Sequence, residues 1–116
     1  MVTDLTFLKE FVSGNHQRLH SYISLYLEHA PPLLETIRQS HQRKEWRQLK
    51  QAAHSLRPML HYMGVESLKD DVKLIEAYAD VKKKRKKLPP LVARVETIIE
   101  TSFQELRDYM KENPLA

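Results

Sequence analysis

A chain of 116 residues, 41% hydrophobic and 29% charged, is long enough for one hydrophobic core and too short for two, so a single domain over residues 1–116 is expected. Two Gly residues and no turn-bounded β-branched runs argue against a sheet, and the absence of Cys excludes a disulfide framework or a Cys-ligated zinc site. No apolar stretch approaches the roughly 20 residues of a membrane span, and no charged-then-apolar leader opens the chain, so a cytoplasmic protein with no membrane contact is the expectation. Of 19 basic residues, six fall in the uninterrupted run Lys82–Lys87; the remaining 13 face 15 acidic residues, a balance of −2. The net charge of +4 therefore belongs to one segment, and a general nucleic-acid-binding face is not implied.

Taken in order, the pattern is helical throughout. Thr3 or Asp4 can cap a short first helix over Leu5, Leu8, Phe11 and Val12, which Ser13-Gly14 stops. Asn15 caps a long second helix, about His16 to Gln39, whose apolar stripe is Leu19, Ile23, Tyr26, Ala30, Leu33 and Ile37. Pro31 and Pro32 interrupt it; the stripe keeps its phase across them, which predicts a kink and not a break. Leu25, Leu27 and Leu34 lie beside the stripe and predict some apolar surface next to the core. After a polar turn at Ser40 to Lys44, a third helix runs from about Glu45 to Met63, with Gly64 at its end. Leu68, Val72, Ile75 and Ala79 mark a fourth helix to about Val81. The basic run and Leu88-Pro89-Pro90 read as a loop, and a last helix follows from about Leu91 to Lys111, stopped by Asn113-Pro114. Short turns between long helices predict an all-α, antiparallel up-down four-helix bundle with a short additional N-terminal helix.

The third helix carries two rows at three-and-four spacing. One is apolar: Trp46, Leu49, Ala53, Leu56, Leu60 and Met63. The other is polar and mostly basic: Arg47, Lys50, His54, Arg57 and His61. The rows are offset by one residue, about 100° on a helix. If the apolar row enters the core, His54 stands on the outer surface. An exposed imidazole is largely neutral at pH 7, so a ring nitrogen has a lone pair to offer an electrophile without help from a base. A phosphoryl electrophile would bring up to about two negative charges, and Arg57, Lys50 and Arg47 supply cations one and two turns away. His16 and His20 have the i, i+4 spacing of a metal clip, but no third ligand accompanies them, and surface histidines are the simpler reading.

At this point the residues carry a resemblance. His54-Ser55-Leu56-Arg57, a residue of special backbone character at Pro58, and Gly64 resemble the signature of histidine-containing phosphotransfer domains. So does the order of a short helix ending in Ser13-Gly14-Asn15, then Leu27-Glu28-His29-Ala30-Pro31-Pro32-Leu33-Leu34, then Trp46 and Ala52-Ala53-His54. The likeness covers about Asp4 to Ala79. It implies a phosphorelay intermediate, in which His54 takes a phosphoryl group from, or gives it to, an aspartate of a response-regulator receiver domain. Arg57 would replace the usual lysine that neutralises phosphoryl oxygens, and Gly64 would close the helix. The partners implied are receiver domains and a hybrid sensor histidine kinase, with Lys50, Gln51, Pro58, His61 and Gly64 in the docking face. The chain itself should need no cofactor, since the magnesium ion and most catalytic groups belong to the receiver, and a monomer is expected.

Two positions depart from the family pattern. Most members have Gly where this chain has Pro58, which cannot donate to the His54 carbonyl; a slightly bent helix with His54 still accessible is expected. His61 stands where small or polar residues are usual. The chain has no Gly-rich phosphate loop and no strand-borne acidic metal cluster, so a kinase with its own ATP site is set aside. The competing reading from another class is a non-phosphorylated adaptor that keeps the docking face and transfers nothing.

Overall fold

A computed structural model describes residues 1–115. Five α-helices carry the chain: α1 (Thr6–Phe11), α2 (His16–Gln42), α3 (Trp46–Tyr62), α4 (Lys69–Ala79) and α5 (Leu88–Glu112), with 3-10 helices at Glu66–Leu68 and Lys82–Lys87. No strand occurs among the described residues. Helix α2 packs on α3 and α5, α3 on α4, and α4 on α5, which closes a ring of four neighbours around one core. Leu19, Ile23, Leu49, Leu56, Ile75, Val95, Ile99 and Leu106 fill that core, and Leu8 and Val12 of α1 plug one end of it.

Helix ends follow local chemistry. The Asp4 side chain accepts from Thr6 N at 2.9 Å, while Thr3, the other candidate cap, turns to Glu105 instead. Asn15 caps α2 by accepting from Arg18 N at 3.0 Å. Helix α3 ends in a Schellman motif: Gly64 N donates to His61 O at 3.1 Å and Val65 N to Leu60 O at 2.9 Å. That motif needs a left-handed residue, and Gly64 has φ 67°. Glycine is needed for a second reason. A Cβ at this position would lie 1.9 Å from the Asp4 carbonyl oxygen, because the N-terminal segment crosses here with Asp4 N donating to Met63 O at 3.1 Å.

Four expectations are corrected. The basic run is a 3-10 helix and not a loop, and Leu88-Pro89-Pro90 is the first turn of α5, which starts three residues earlier than expected. Prolines are tolerated there because first-turn N–H groups have no intrahelical acceptor to lose. In α2, Leu34 is buried where Leu33 was expected to be, and Leu33 is only partly covered. Ile37 is buried as expected, so the stripe keeps its phase across the prolines, and α2 runs unbroken through them. The turn after α2 also starts later than expected, since the helix continues to Gln42 and Lys44 takes the left-handed conformation. Among the described residues, no helix is long and apolar enough to cross a membrane.

Candidate functional site

Burial of Leu49, Ala53, Leu56 and Leu60 fixes the rotation of α3 about its axis. The basic row is thereby forced outward. His54 keeps 68% of its side chain exposed, and Pro58 sits inside an unbroken α3, so accessibility of the histidine agrees with expectation. The structure adds a partner that sequence reasoning missed. His54 Nδ1 lies 2.7 Å from Glu76 Oε1, on α4, and Glu76 is only 12% exposed. Its other oxygen, Oε2, accepts from the Arg57 guanidinium at 3.4 Å. One sequestered carboxylate therefore holds both the central imidazole and the cation one turn onward.

The chemistry of that contact is directional. An ionised carboxylate accepts and cannot donate, so in the neutral ring the proton sits on Nδ1 and the lone pair on Nε2. Nε2 has no hydrogen-bond partner among the described residues. The ring is oriented at one nitrogen and free at the other.

Cations surround the histidine, and some are already paired. Lys50 Nζ pairs with Asp80 at the C-terminal end of α4. Arg47 and Arg85 pair with no carboxylate among the described residues. Together with His54, Lys50, Glu76 and Asp80 they wall an open concavity of about 900 Å³ between α3, the end of α4 and the basic 3-10 helix. Its far end is built by Trp46, over whose ring the Arg85 guanidinium lies at 4.7 Å while Arg85 Nε donates to Ala79 O at 3.1 Å.

Of the residues expected in the docking face, Gln51, Pro58 and His61 are exposed on the outer side of α3 and Lys50 is half-buried beside them. Gly64 lies past the helix end, under the Asp4 backbone. Beyond His61 the structure brings together an aromatic group that was not foreseen. The Phe7 ring is 4.5 Å from His61, and Phe11 packs edge-on against Tyr22 and Tyr62 at 5.8 and 5.3 Å. Phe7 and Phe11 stay well exposed, at 39% and 43%, so an apolar surface adjoins the histidine face. The His16 and His20 rings meet at 4.5 Å and are tilted by 57°. His16 is exposed, but His20 is buried, a correction to the expectation of two surface histidines, and no cluster of three metal-ligating side chains exists among the described residues.

Four helices around one core thus present an oriented, exposed histidine among cations. Residues 21–112 match the Hpt domain profile, most of the chain including the last helix, and the protein belongs to the Hpt domain family. Members of this family are phosphocarriers that work with receiver domains and histidine kinases in two-component phosphorelays. Comparison with curated proteins and with solved structures returned no match.

Proposed function

We propose that His54 is the phosphoacceptor and that its Nε2 exchanges a phosphoryl group with the aspartate of a response-regulator receiver domain. The supporting observation is the contact of Nδ1 with Glu76, which leaves Nε2 as the free nucleophile on an exposed surface. In the forward step the Nε2 lone pair attacks phosphorus. The N–P bond forms as the P–O bond to the aspartyl carboxyl breaks, and the electron pair of that bond leaves with the carboxylate. The ring, still carrying its Nδ1 proton, becomes a phosphoimidazolium. Glu76 faces that developing positive charge, as an acid residue behind a catalytic histidine does elsewhere. Return to a second receiver reverses the same bonds.

Charge around the phosphoryl group comes from Arg57, Arg47 and Lys50, since positioning and electrostatics carry most of phosphoryl transfer. Arg57 is held near by Glu76, within reach of His54 one turn away. Lys50, Gln51, Pro58 and His61, extended by Phe7 and Phe11, form the docking face; Gly64 contributes by setting the end of that face. A histidine kinase supplies the relay upstream, the chain requires no cofactor of its own, and the magnesium ion is held by the receiver. The chain acts as a monomer.

The test is to mix the chain with radiolabelled, phosphorylated receiver domains from the same genome. The wild type should take up acid-labile, base-stable label and the His54→Gln variant none. Equal labelling of the two, or no labelling of the wild type by any receiver that binds it, overturns the proposal; the second outcome leaves the adaptor reading, which the prior pairing of Lys50 and Arg57 with acids favours.

A further inference from the structure

Six consecutive cations with nothing apolar among them repel one another and are expected to remain a solvated loop. Here they are built into the fold. Lys84 N donates to Val81 O at 2.8 Å, and Arg85 is clamped between Trp46 and the Ala79 carbonyl. Lys84 and Lys87 lie over the Tyr78 ring at 6.0 and 5.8 Å, and the next residue, Leu88, is fully buried. Four cations elsewhere, Arg38, Lys50, Arg57 and Arg94, are in ion pairs while others such as Arg47 are not, but only in this run do six cations stand in sequence with no carboxylate among the described residues paired to any of them. The result is a rigid, uncompensated positive block on a chain whose remainder is slightly acidic. Its inner residue, Arg85, forms the end wall of the concavity that contains His54.

We infer that this basic 3-10 helix is a recognition element for an acidic surface on the same receiver domain that meets His54, an inference that rests on the relay reading. Trp46 marks the near edge of the block, and the eight residues of α3 from it to His54 span about 12 Å at the helical rise. An ordinary interface of roughly 800 Å² per partner is on the order of 30 Å across, so a domain seated on His54 overlaps the block. The partner's chemistry supplies the complement. A site that offers an aspartate and holds a hard divalent cation by oxygen ligands is rimmed with carboxylates. Nucleic acid fits less well, because the nearby rings of Trp46 and Tyr78 are already covered by cations and are not free to stack on bases.

The experiment uses the full chain with Lys82, Lys83, Lys86 and Lys87 all changed to Gln, which leaves Lys84 and Arg85 in place, and circular dichroism confirms an unchanged fold. Association with a receiver domain that binds the wild type is followed by stopped flow at about 20 mM and about 300 mM salt, a range over which screening becomes strong. The variant should associate about tenfold more slowly at low salt, with dissociation changed less than about twofold, and the difference should close at high salt. Association rates equal to wild type at both salts overturn the inference. So does a random-sequence DNA duplex that binds the wild type at least as tightly as the receiver does near 150 mM salt and is lost in the variant. Binding without label on His54 would fail the relay reading alone, and labelling with lysine-independent association would fail this one alone.

Discussion

The Glu76 carboxylate is placed to do three things for one imidazole: it fixes the ring plane, it selects the tautomer, and it would face the charge that the proposed phosphorylation puts on the ring. Glu76→Gln keeps the shape and removes the charge. A hydrogen bond to an ionised group contributes about 1.5–3 kcal/mol, so the variant should pass phosphoryl groups about 10- to 100-fold more slowly at saturating receiver. The chemical shifts of the His54 ring nitrogens should show a mixed tautomer at the same time. A loss of binding with an unchanged rate would mean that Glu76 only props the surface. The histidine and Arg57 were legible in the sequence, because helical spacing sets them on one row and the motif sets them in context. Glu76 was not. Residue 76 borders the buried stripe of Val72, Ile75 and Ala79, which marks it as a carboxylate near the core, but its meeting with His54 depends on how α3 and α4 align across 22 residues.

At the scale of elements, α3 is held between two ends of different kinds. Its C-terminus relies on Gly64, and Gly64→Ala puts a side chain both into a left-handed backbone and against the Asp4 carbonyl. The backbone penalty alone is about 1–2 kcal/mol, and displacement of the N-terminal segment adds to it. A fall of roughly 10 °C in Tm is expected in a thermal melt followed by circular dichroism. A change below about 2 °C would show that the crossing segment yields at no cost. Gly64 was legible as a helix stop; the crossing strand of residues above it was not, since nothing local announces it. The basic run was legible as charge and illegible as structure, because the surfaces that order it, Trp46 from α3 and Tyr78 from α4, come from elsewhere in the chain. The exchange of Leu33 for Leu34 has a simpler origin: steps of three and of four residues both stay on one helix face, so either leucine can follow Ala30 and precede Ile37.

For the whole molecule, two side chains contribute in opposite senses to how stability depends on pH. Burial pushes the Tyr26 phenol up to about 12, against the lowering effect of its hydrogen bond with Ser102 at 2.8 Å. The unfolded phenol ionises near pH 10 while the folded one does not, so the folded state binds more protons there and stability falls as pH rises from about 10 toward 12. Glu105 behaves in the opposite sense. Burial alone would raise its pKa, but the Thr3 hydroxyl and the Val2 and Thr3 amides, at 2.6, 2.8 and 3.0 Å, outweigh burial and hold it below the usual carboxylate range. Its stabilising effect is present above the ordinary carboxylate range and is lost as pH falls through the lowered value. Urea titrations across pH should show Tyr26→Phe flattening the alkaline limb and Glu105→Gln flattening the acid limb; limbs unchanged by these substitutions would assign the dependence to other groups. The all-α bundle was legible from four apolar stripes and short turns. The Glu105 tether was not, because it joins residues more than 100 positions apart and leaves no periodic trace.

Trp46 is the only tryptophan in the chain, and it lies at the lip of the concavity beneath a guanidinium. The protein therefore carries one native fluorophore, placed where an arriving domain would disturb it and far from any second indole that could blur the signal. Its emission should shift when a receiver docks and should report dissociation in real time without a dye. An indole whose emission ignores a bound receiver would place the docking face away from this end of α3.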